Sequence, residues 1–501
     1  MTGPDQSIRE DGSLAPSQPP VVRGRRVLRP VRGRWAALVS VLVVIAGVAV
    51  IAAAVPEPSA TPAPSPSDAV AIAPANARSS SSFCTAGAGT TAGTTIYLTN
   101  TTSRAVRGVM SSVGPTTGRG AVATTHRTVV VPALGSAAVN PALGLPAGNN
   151  ATSFAFAGGG LSANQVVAGS AGWSTAPCAS QISSQWAFAG GATTPGSSLT
   201  LALFNPAVTQ AVVNVSFLTA GGLVAPQAYQ GLAVPSGELV VENVGDFVQN
   251  AQNIATIVTA QAGGLVSNEF QRWSSGPAHG LSVRLGSPAL STTWCFAQTT
   301  TAPGSAVDFS LANPASTPVT ATFSVGLPSA SVTARSITLP PLSTAVFPAS
   351  SAAGWPQRTH YSVTVGATGP IVVGRSVQAA NAATPPQWGS SSGTVSASTR
   401  WLVPGPGVVH APGVASAAIK SLAVANPGLN IAHVVVSTLG AARTVATFTV
   451  APGELTVLGS NQVGGLDTFT VTSSEPVNVE EDDGPTGAPG VVSSTGFPFT
   501  S

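Results

Sequence analysis

The sequence is poor in charged residues, which make up 7% of its 501 positions, and it contains a single lysine, Lys420. Typical soluble proteins carry about 25% charged residues. Of the 20 basic and 17 acidic residues, seven basic and three acidic ones precede residue 35, which leaves 13 basic and 14 acidic residues in the rest. Because nucleic-acid binding requires a basic surface, we expect this nearly neutral chain to have no nucleic-acid partner.

Cysteine is also scarce, and the sequence has only Cys84, Cys178 and Cys295. No cysteine or histidine spacing is typical of a metal site, so we expect no metal ion and no cofactor. Cys84 and Cys178 lie near the two ends of residues 80–180, which form the first of four repeated units described below. If the first and last strands of this unit lie side by side, the two cysteines can form a disulfide, which fits an exported protein. Cys295 is then either a buried small hydrophobe or free for an intermolecular bond.

Motifs of enzymes are missing or stand in the wrong context. Gly389-Ser-Ser-Ser-Gly393 matches the G-x-S-x-G pattern of a nucleophile elbow, but that motif needs a strand-turn-helix context and here it lies in a Ser/Gly-rich stretch. The sequence has no phosphate-binding loop and no dinucleotide fingerprint. We therefore predict no enzymatic activity and no catalytic residue. A Ser-His-Asp triad is recognised from geometry, so an accessory hydrolase stays as an alternative.

One dense acidic run, Glu480-Glu-Asp-Asp483, follows the last strand signal. Clustered carboxylates can bind Ca²⁺, but this run lacks the spaced oxygen ligands of known calcium loops. We interpret it as a solvated charge run that protects a strand edge.

Long apolar runs are absent except at one place near the N-terminus. Residues 35–55 form 21 consecutive positions without a charge, long enough to cross a bilayer, and they follow an Arg-rich, disordered tail at 1–34. A Pro/Ser/Ala-rich linker occupies 56–79. This order predicts a transmembrane signal anchor in the cell membrane, with the N-terminus in the cytoplasm and the bulk of the chain outside; a cleaved signal peptide is the alternative.

Residues 80–501 contain one pattern of strand signals four times, in predicted units at 80–180, 181–285, 286–390 and 391–501. In each unit the first long strand ends at an asparagine, and these are Asn100, Asn205, Asn313 and Asn426. Pro or Thr follows each of them, and Asn can hydrogen-bond its own backbone ahead, so the pair ends a strand and starts a turn.

The length of the repeat predicts the architecture. The four asparagines are spaced 105, 108 and 113 residues apart, longer than the roughly 20–50 residues of solenoid repeats. Each unit holds six or seven short apolar runs between turn signals, which is typical of a β-sandwich. We predict an all-β fold of about four tandem Ig-like β-sandwich repeats. A closed four-unit array resembling a β-propeller is the alternative.

The tryptophans of residues 80–501 follow the same repeat, with one exception. Six of the eight lie at unit openings and closings, where we expect them to pack the sandwich or the joint between neighbours. Trp355 lies in a loop before Pro356 and breaks this pattern. We therefore regard Trp355 as the candidate for stacking on a sugar ring.

The combination of an Arg-rich tail, one anchor, a Pro-rich spacer and repeated units resembles a family of uncharacterised, membrane-anchored, exported actinobacterial proteins. The likeness is carried by openings such as Trp186-Ala-Phe-Ala-Gly190 and by strand ends such as Leu201 to Pro206. It implies a membrane anchor and repeated Ig-like β units. The family has no established catalytic residues, so none is transferred to this chain.

These observations favour a non-enzymatic, membrane-anchored extracytoplasmic protein of the cell envelope that acts as a scaffold or as an adhesion or recognition module. We expect its partners to be the cytoplasmic membrane and either cell-wall polysaccharide or envelope proteins. A cell-wall glycan-binding module that uses Trp355 is the first alternative, and the accessory hydrolase is the second.

Overall fold

The computed structural model describes most of the chain after residue 69. The described residues are 70–85, 93–116, 122–169, 171–274, 279–301, 306–328, 330–381, 384–405, 417–440, 443–463, 468–485 and 492–499. The predicted tail, the predicted anchor and the first part of the linker lie outside them. Among the described residues, no helix has the length and the apolar character to cross a membrane.

The described chain is almost entirely β, as predicted. Short helical turns occur at Gln227–Tyr229, Val244–Asp246, Ala349–Ser351 and Ser460–Val463. From residue 80 onward the strands form pairs of sheets that share a core, and we call the residues of each pair a segment. Segments 1 to 4 are residues 80–177, 185–285, 291–392 and 398–498.

The strands of the first two segments have the following bounds. Segment 1 contains β1 (Ser80–Cys84), β2 (Gly93–Asn100), β3 (Val106–Thr116), β4 (Val122–Val131), β5 (Gly135–Val139), β6 (Ala151–Phe156), β7 (Leu161–Gly169) and β8 (Gly172–Pro177). Segment 2 contains β9 (Gln185–Gly191), β10 (Ser197–Asn205), β11 (Ala211–Thr219), β12 (Gly222–Val224), β13 (Leu232–Val234), β14 (Glu238–Asn243), β15 (Ile254–Ala262), β16 (Val266–Trp273) and β17 (His279–Leu285).

The strands of the last two segments follow the same course. Segment 3 contains β18 (Ser291–Thr300), β19 (Ala306–Asn313), β20 (Val319–Leu327), β21 (Ala330–Ser331), β22 (Arg335–Leu339), β23 (Ser343–Pro348), β24 (His360–Asn381) and β25 (Thr384–Ser392). Segment 4 contains β26 (Ser398–Val403), β27 (Ala417–Ala425), β28 (Ala432–Thr438), β29 (Thr444–Val450), β30 (Leu455–Gly459), β31 (Phe469–Pro485), β32 (Val492–Thr495) and β33 (Phe497–Pro498).

One order of strand pairing recurs along the chain. In segment 1 the sheets are β1-β6-β3-β4 and β5-β2-β7-β8, and segment 2 has the matching sheets β9-β15-β11-β12 and β14-β10-β16-β17, with β13 beside β11. In segments 3 and 4 the single long strands β24 and β31 pass from one sheet of the segment into the other. Facing sheets with a shared core are β-sandwich-like, and they do not fit the single-sheet blade of the propeller alternative.

Alternation of apolar and polar residues explains the buried faces. In β11, Val213, Val215 and Phe217 are fully buried, whereas Asn214 and Ser216 between them are half-buried. Successive side chains of a strand point to opposite faces, so this run turns one face toward the core.

The repeated tryptophans hold the cores of segments 2 to 4. Trp186, Trp294 and Trp401 are at most 1% exposed. In each of them the indole Nε1 donates to a backbone carbonyl where the second sheet begins: Trp186 to Leu265 (2.8 Å), Trp294 to Ile371 (3.0 Å) and Trp401 to Val477 (2.9 Å). Segment 1 has Phe83 at the opening position, next to a disulfide between Cys84 and Cys178.

The repeated asparagines connect two turns. Each is at most 1% exposed, and its Oδ1 accepts from the backbone N–H two residues ahead, at 2.9–3.0 Å. Its Nδ2 donates to the carbonyl at the end of a later strand, namely Val131, Val234, Leu339 and Val450. The asparagine therefore starts its own turn, as predicted, and also anchors the turn that follows this later strand.

The structure corrects the prediction for Trp355. Its side chain is 4% exposed and belongs to the core of segment 3. The loop before Pro356 folds back over the sheets, so the indole packs against Phe347 (ring centroids 4.7 Å apart), Phe323 (6.2 Å) and Tyr361 (6.3 Å). A tryptophan side chain that is only 4% exposed has no free ring face for stacking on a sugar.

The four segments meet at one strand from the later part of each. β8 contacts β17, β17 contacts β25, β25 contacts β32, and β32 contacts β8. The pairing of β17 with β25 is parallel and joins the sheets of segments 2 and 3. Ahead of segment 1, Ile72 pairs with Phe499, and the carbonyl of Ala73 accepts from Gly160 N–H at 2.9 Å, so this stretch bridges segments 4 and 1.

Candidate functional site

The acidic run Glu480–Asp483 lies inside a sheet. It belongs to β31, which pairs with β27 on one side and β32 on the other. Glu480 and Glu481 are each 1% exposed. The prediction of a solvated run at a strand edge is wrong, because the chain continues as a strand through the run and neighbouring strands cover it.

The partner of Glu480 comes from another segment. Arg375 of β24 is 1% exposed, and its Nη2 forms an ion pair with Glu480 Oε1. The same guanidinium donates to the carbonyl of Gln298 and to the hydroxyls of Thr299 (3.2 Å) and Ser391 (2.9 Å). Arg375 thus links two strands of segment 3 to β31 of segment 4.

Gln298 strengthens this joint from both its backbone and its side chain. Its N–H donates to Glu480 Oε2 at 2.9 Å, so both carboxylate oxygens are hydrogen-bonded. Its Nε2 lies 2.5 Å from Ser421 Oγ and 2.7 Å from Asp482 Oδ2, both in segment 4. We call Arg375, Gln298, Glu480, Asp482 and Ser421 the polar joint.

The electrostatics of the polar joint suit a structural contact. Burial raises the pKa of Glu480, and the charge of Arg375 offsets part of that effect. Removing two charges from water is costly, and a buried pair is tolerated only where good geometry and further hydrogen bonds compensate. Here the hydrogen bonds of both partners supply much of that compensation, although Arg375 Nε has no hydrogen-bond partner among the described residues. Loss of either partner would leave a buried charge unpaired.

A second buried pair lies within segment 2. Glu269 and Arg284 are directly opposite each other on β16 and β17, and Oε2 lies 2.6 Å from Nη2. Thr256 Oγ1 donates to Glu269 Oε1 at 2.6 Å, and Arg284 Nη1 donates to the carbonyl of Ala189 at 2.5 Å. Burial raises the pKa of Glu269, and Arg284 offsets part of the rise.

Segment 3 approaches this second pair very closely. A β-carbon placed on Gly374 would lie 2.5 Å from the carbonyl of Ala189 and 3.2 Å from Arg284 Nη1. Only glycine fits at that distance, so the pair within segment 2 also borders the joint with segment 3.

The buried polar positions share one register, which the sequence analysis missed. Each lies opposite the residue four positions before the repeated asparagine: Gln165 opposite Ile96, Glu269 opposite Leu201, Arg375 opposite Phe309 and Glu481 opposite Leu422. The signal that was available is a polar residue that follows apolar strand residues, as in Ile371-Val-Val-Gly-Arg375.

The candidate nucleophile motif serves the joint. Ser391 lies in β25, outside any strand-turn-helix turn, and its hydroxyl accepts from Arg375. Ser111 Oγ lies 2.9 Å from His126 Nδ1, but these residues are cross-strand neighbours of β3 and β4, and His126 is exposed. Neither arrangement supports the hydrolase alternative.

The cysteines and potential metal ligands take structural places. Cys84 and Cys178 form the disulfide described above. Cys295 is 5% exposed, and burial is the main cause that raises its pKa to about 12, so this thiol is not accessible for an intermolecular bond. Within the described ranges, no three His, Cys, Asp or Glu side chains come together in a way that could hold a metal ion.

Part of the chain matches a protein-family model. Residues 145–272 match the model of a family of unknown function, DUF5719. The matched stretch begins after β5 in segment 1 and ends within β16 in segment 2. This part of the chain is therefore similar to an uncharacterised family. No curated protein matches the chain.

Three solved structures resemble the chain only weakly. The protein Thermotoga maritima 1070 is 13% identical, covering 21% of this chain and 93% of its own, with a TM-score of 0.20. A tetra-tandem repeat from the extending region of a large adhesion protein is 11% identical over 80% of this chain and 93% of its own, with a TM-score of 0.12. An α-L-rhamnosidase of Streptomyces avermitilis is 11% identical over 87% and 44%, with a TM-score of 0.14. Scores this low carry no conclusion about fold or function.

Proposed function

We propose that the chain is a non-enzymatic, membrane-anchored scaffold or adhesion module of the cell envelope, built from four tandem Ig-like β-sandwiches outside the membrane. The observation that carries the proposal is the polar joint, where Arg375 of segment 3 and Glu480 of segment 4 form a buried ion pair. The hydrogen bonds of the polar joint can form only in one relative arrangement of segments 3 and 4.

A fixed arrangement is what a scaffold needs. Interfaces between domains of one chain are commonly polar and permit relative motion. In the polar joint Arg375 and Glu480 are buried instead, and moving segment 4 away from segment 3 would expose them without their partners. Such a joint holds binding surfaces at constant distances, and it offers no arrangement of groups for turnover of a substrate.

Two further features support a place outside the cytoplasm. The disulfide Cys84–Cys178 belongs to oxidising compartments. The uncharged run at 35–55 is long enough for an anchor, and the arginines before it favour a cytoplasmic N-terminus. Together they support an export route that leaves residues 80–501 on the outer side.

The location is tested on the full-length protein with a C-terminal tag in intact cells. We expect the protein to sediment with membranes and the tag to be removed by added protease. Because Cys84 and Cys178 are buried, alkylation is measured after denaturation, where we expect both to resist it until a reductant is added. A protease-protected tag together with freely alkylated Cys84 and Cys178 would overturn the proposal.

The scaffold role is tested by cross-linking from an exposed site. Val208 is 93% exposed, so a Val208→Cys variant accepts a thiol-reactive photo-cross-linker. The wild-type protein is the matched control, because Cys295 is buried. We expect a reproducible adduct with an envelope protein. If neither Val208→Cys nor the equally exposed Leu429→Cys gives an adduct in cells, the proposal of protein partners fails.

A further inference from the structure

A cavity lies where the four segments meet. Its volume is about 120 Å³, and every segment contributes to its wall. The lining contains one buried polar residue from each of β8, β17, β25 and β32, namely Thr175, Arg284, Ser391 and Ser494. The mouth is formed by half-buried Pro288 and Pro498 and by exposed Ser396.

The size of the cavity limits its occupant. Pockets for drug-sized ligands measure about 300–1,000 Å³, so this cavity suits one small molecule and not a stretch of polymer. A water molecule needs about 10–15 Å³ by a comparable measure, so the space is also well above that of a single buried water.

Two buried polar groups of the lining residues have no hydrogen-bond partner among the described residues. They are the hydroxyl of Thr175, which is 8% exposed, and Nε–H of Arg284, which is 4% exposed. Buried polar groups are hydrogen-bonded in the great majority of cases, and leaving one without a partner is destabilising. Both groups can donate a hydrogen bond, so a complementary ligand is one with acceptor oxygens.

The charge balance excludes an anion as the favoured ligand. Arg284 is the one charged residue that lines the described cavity, and Glu269 already neutralises it at 2.6 Å. An added anion would leave a net negative charge in a buried space, which is unfavourable. The remaining polar lining consists of hydroxyls and backbone, while Val283, Leu285 and Trp401 supply apolar walls.

From these observations we propose that the cavity binds one neutral sugar ring, with its oxygens toward Thr175 and Arg284 and its apolar face against the wall. Sugars combine several acceptor and donor oxygens with apolar C–H faces, and both features have counterparts here. Because the wall comes from all four segments, a bound sugar also links them. The proposal does not depend on the scaffold role.

The test is calorimetric titration of the full-length protein with glucose, galactose, arabinose and N-acetylglucosamine, beside acetate and phosphate. At least one neutral sugar is expected to bind with a stoichiometry of one and to raise the thermal unfolding temperature. Thr175→Val removes one hydrogen bond and is expected to weaken binding about 3- to 10-fold. Ser396→Trp, at the exposed mouth, is expected to abolish it without disturbing the fold.

Thr85→Val is the matched control. The Thr85 hydroxyl is also buried and has no hydrogen-bond partner among the described residues, yet it does not line the cavity. Binding by Thr85→Val should equal that of the wild type. Three results would each overturn the proposal: no neutral sugar binds, only the anions bind, or binding survives in Ser396→Trp.

The source of the sugar is decided by competition with purified cell-wall sacculi. If the protein sediments with sacculi, free sugar prevents this and Ser396→Trp does not sediment, the ligand is the end of a wall glycan. If a free sugar binds and sacculi do not, the ligand is a soluble monosaccharide.

Discussion

Two buried Arg–Glu pairs occupy the same layer of the molecule, but one connects two strands of a segment and the other connects two segments. Glu269 and Arg284 are 15 residues apart and hold together two neighbouring strands of segment 2. Arg375 and Glu480 are 105 residues apart and hold segment 3 to segment 4. One pair is an internal contact and the other is a joint.

The difference follows from what stands on the last strand of each segment. Glu269 faces Arg284 on β17, whereas Arg375, at the same register, faces Ser391 on β25. A serine hydroxyl can accept a hydrogen bond but cannot neutralise a guanidinium. The charge of Arg375 is therefore matched from outside the segment, by Glu480. Two differences, Arg for Glu at the shared register and Ser for Arg on the neighbouring strand, therefore turn an internal pair into a contact between segments.

The largest effect is expected from a variant that disrupts the polar joint. Glu480→Ala leaves Arg375 buried without its counter-charge, and we expect a loss of about 3–5 kcal/mol in the free energy of unfolding. Hydrogen exchange should accelerate in both β24 and β31. Chemical denaturation of the full-length protein measures the loss, with half-buried Glu475→Ala of the same strand as control, expected within about 0.5 kcal/mol of the wild type. A loss below 1 kcal/mol for Glu480→Ala would contradict the conclusion that the Arg375–Glu480 pair holds segment 3 to segment 4.

The sequence predicted the parts of the fold that depend on local chemistry. Asn313 stops a strand because its own side chain starts the next turn, and Trp294 marks an opening because it fills the core of its segment. The sequence did not predict the polar joint. Glu480 looked solvated because its run is acidic, and its partner Arg375 lies in a different repeat. The prediction that Trp355 is an exposed ligand-stacking residue was wrong for a related reason. A loop that folds back over a core looks the same in sequence as one that does not.

A smaller effect tests how closely segment 3 approaches the pair within segment 2. Gly374→Ala places a methyl group 2.5 Å from the carbonyl of Ala189, and we expect a loss of about 1–3 kcal/mol from overpacking. Gly366→Ala lies in the same strand, and its added methyl group would meet nothing within 4 Å. Thermal unfolding of the two variants should therefore differ, and equal losses would mean that segments 2 and 3 separate easily.

A double replacement tests whether the two charges of the polar joint contribute to the free energy of unfolding or only determine how segments 3 and 4 are arranged. Arg375→Met with Glu480→Leu removes both buried charges at roughly conserved volume, and buried pairs replaced in this way are often neutral in stability. We expect the free energy of unfolding to stay within about 1 kcal/mol of the wild type. Hydrogen exchange in β24 and β31 then reports whether the contact between segments 3 and 4 is retained. A loss as large as that of Glu480→Ala would show that the pair itself stabilises the joint.

The smallest expected effect is a pH dependence that belongs to the internal pair. Burial raises the folded-state pKa of Glu269 above its unfolded value, so the folded protein binds more protons between those two values. Stability from this group is then fully present below the unfolded pKa and is lost as pH rises through the folded one. Glu269→Gln cannot titrate, so the wild type should gain stability relative to this variant as pH falls from neutral toward the unfolded pKa. Urea denaturation at a series of pH values measures the difference between the two proteins. A difference that is constant with pH, or that shrinks as pH falls, would mean that Arg284 outweighs burial and holds the carboxylate ionised.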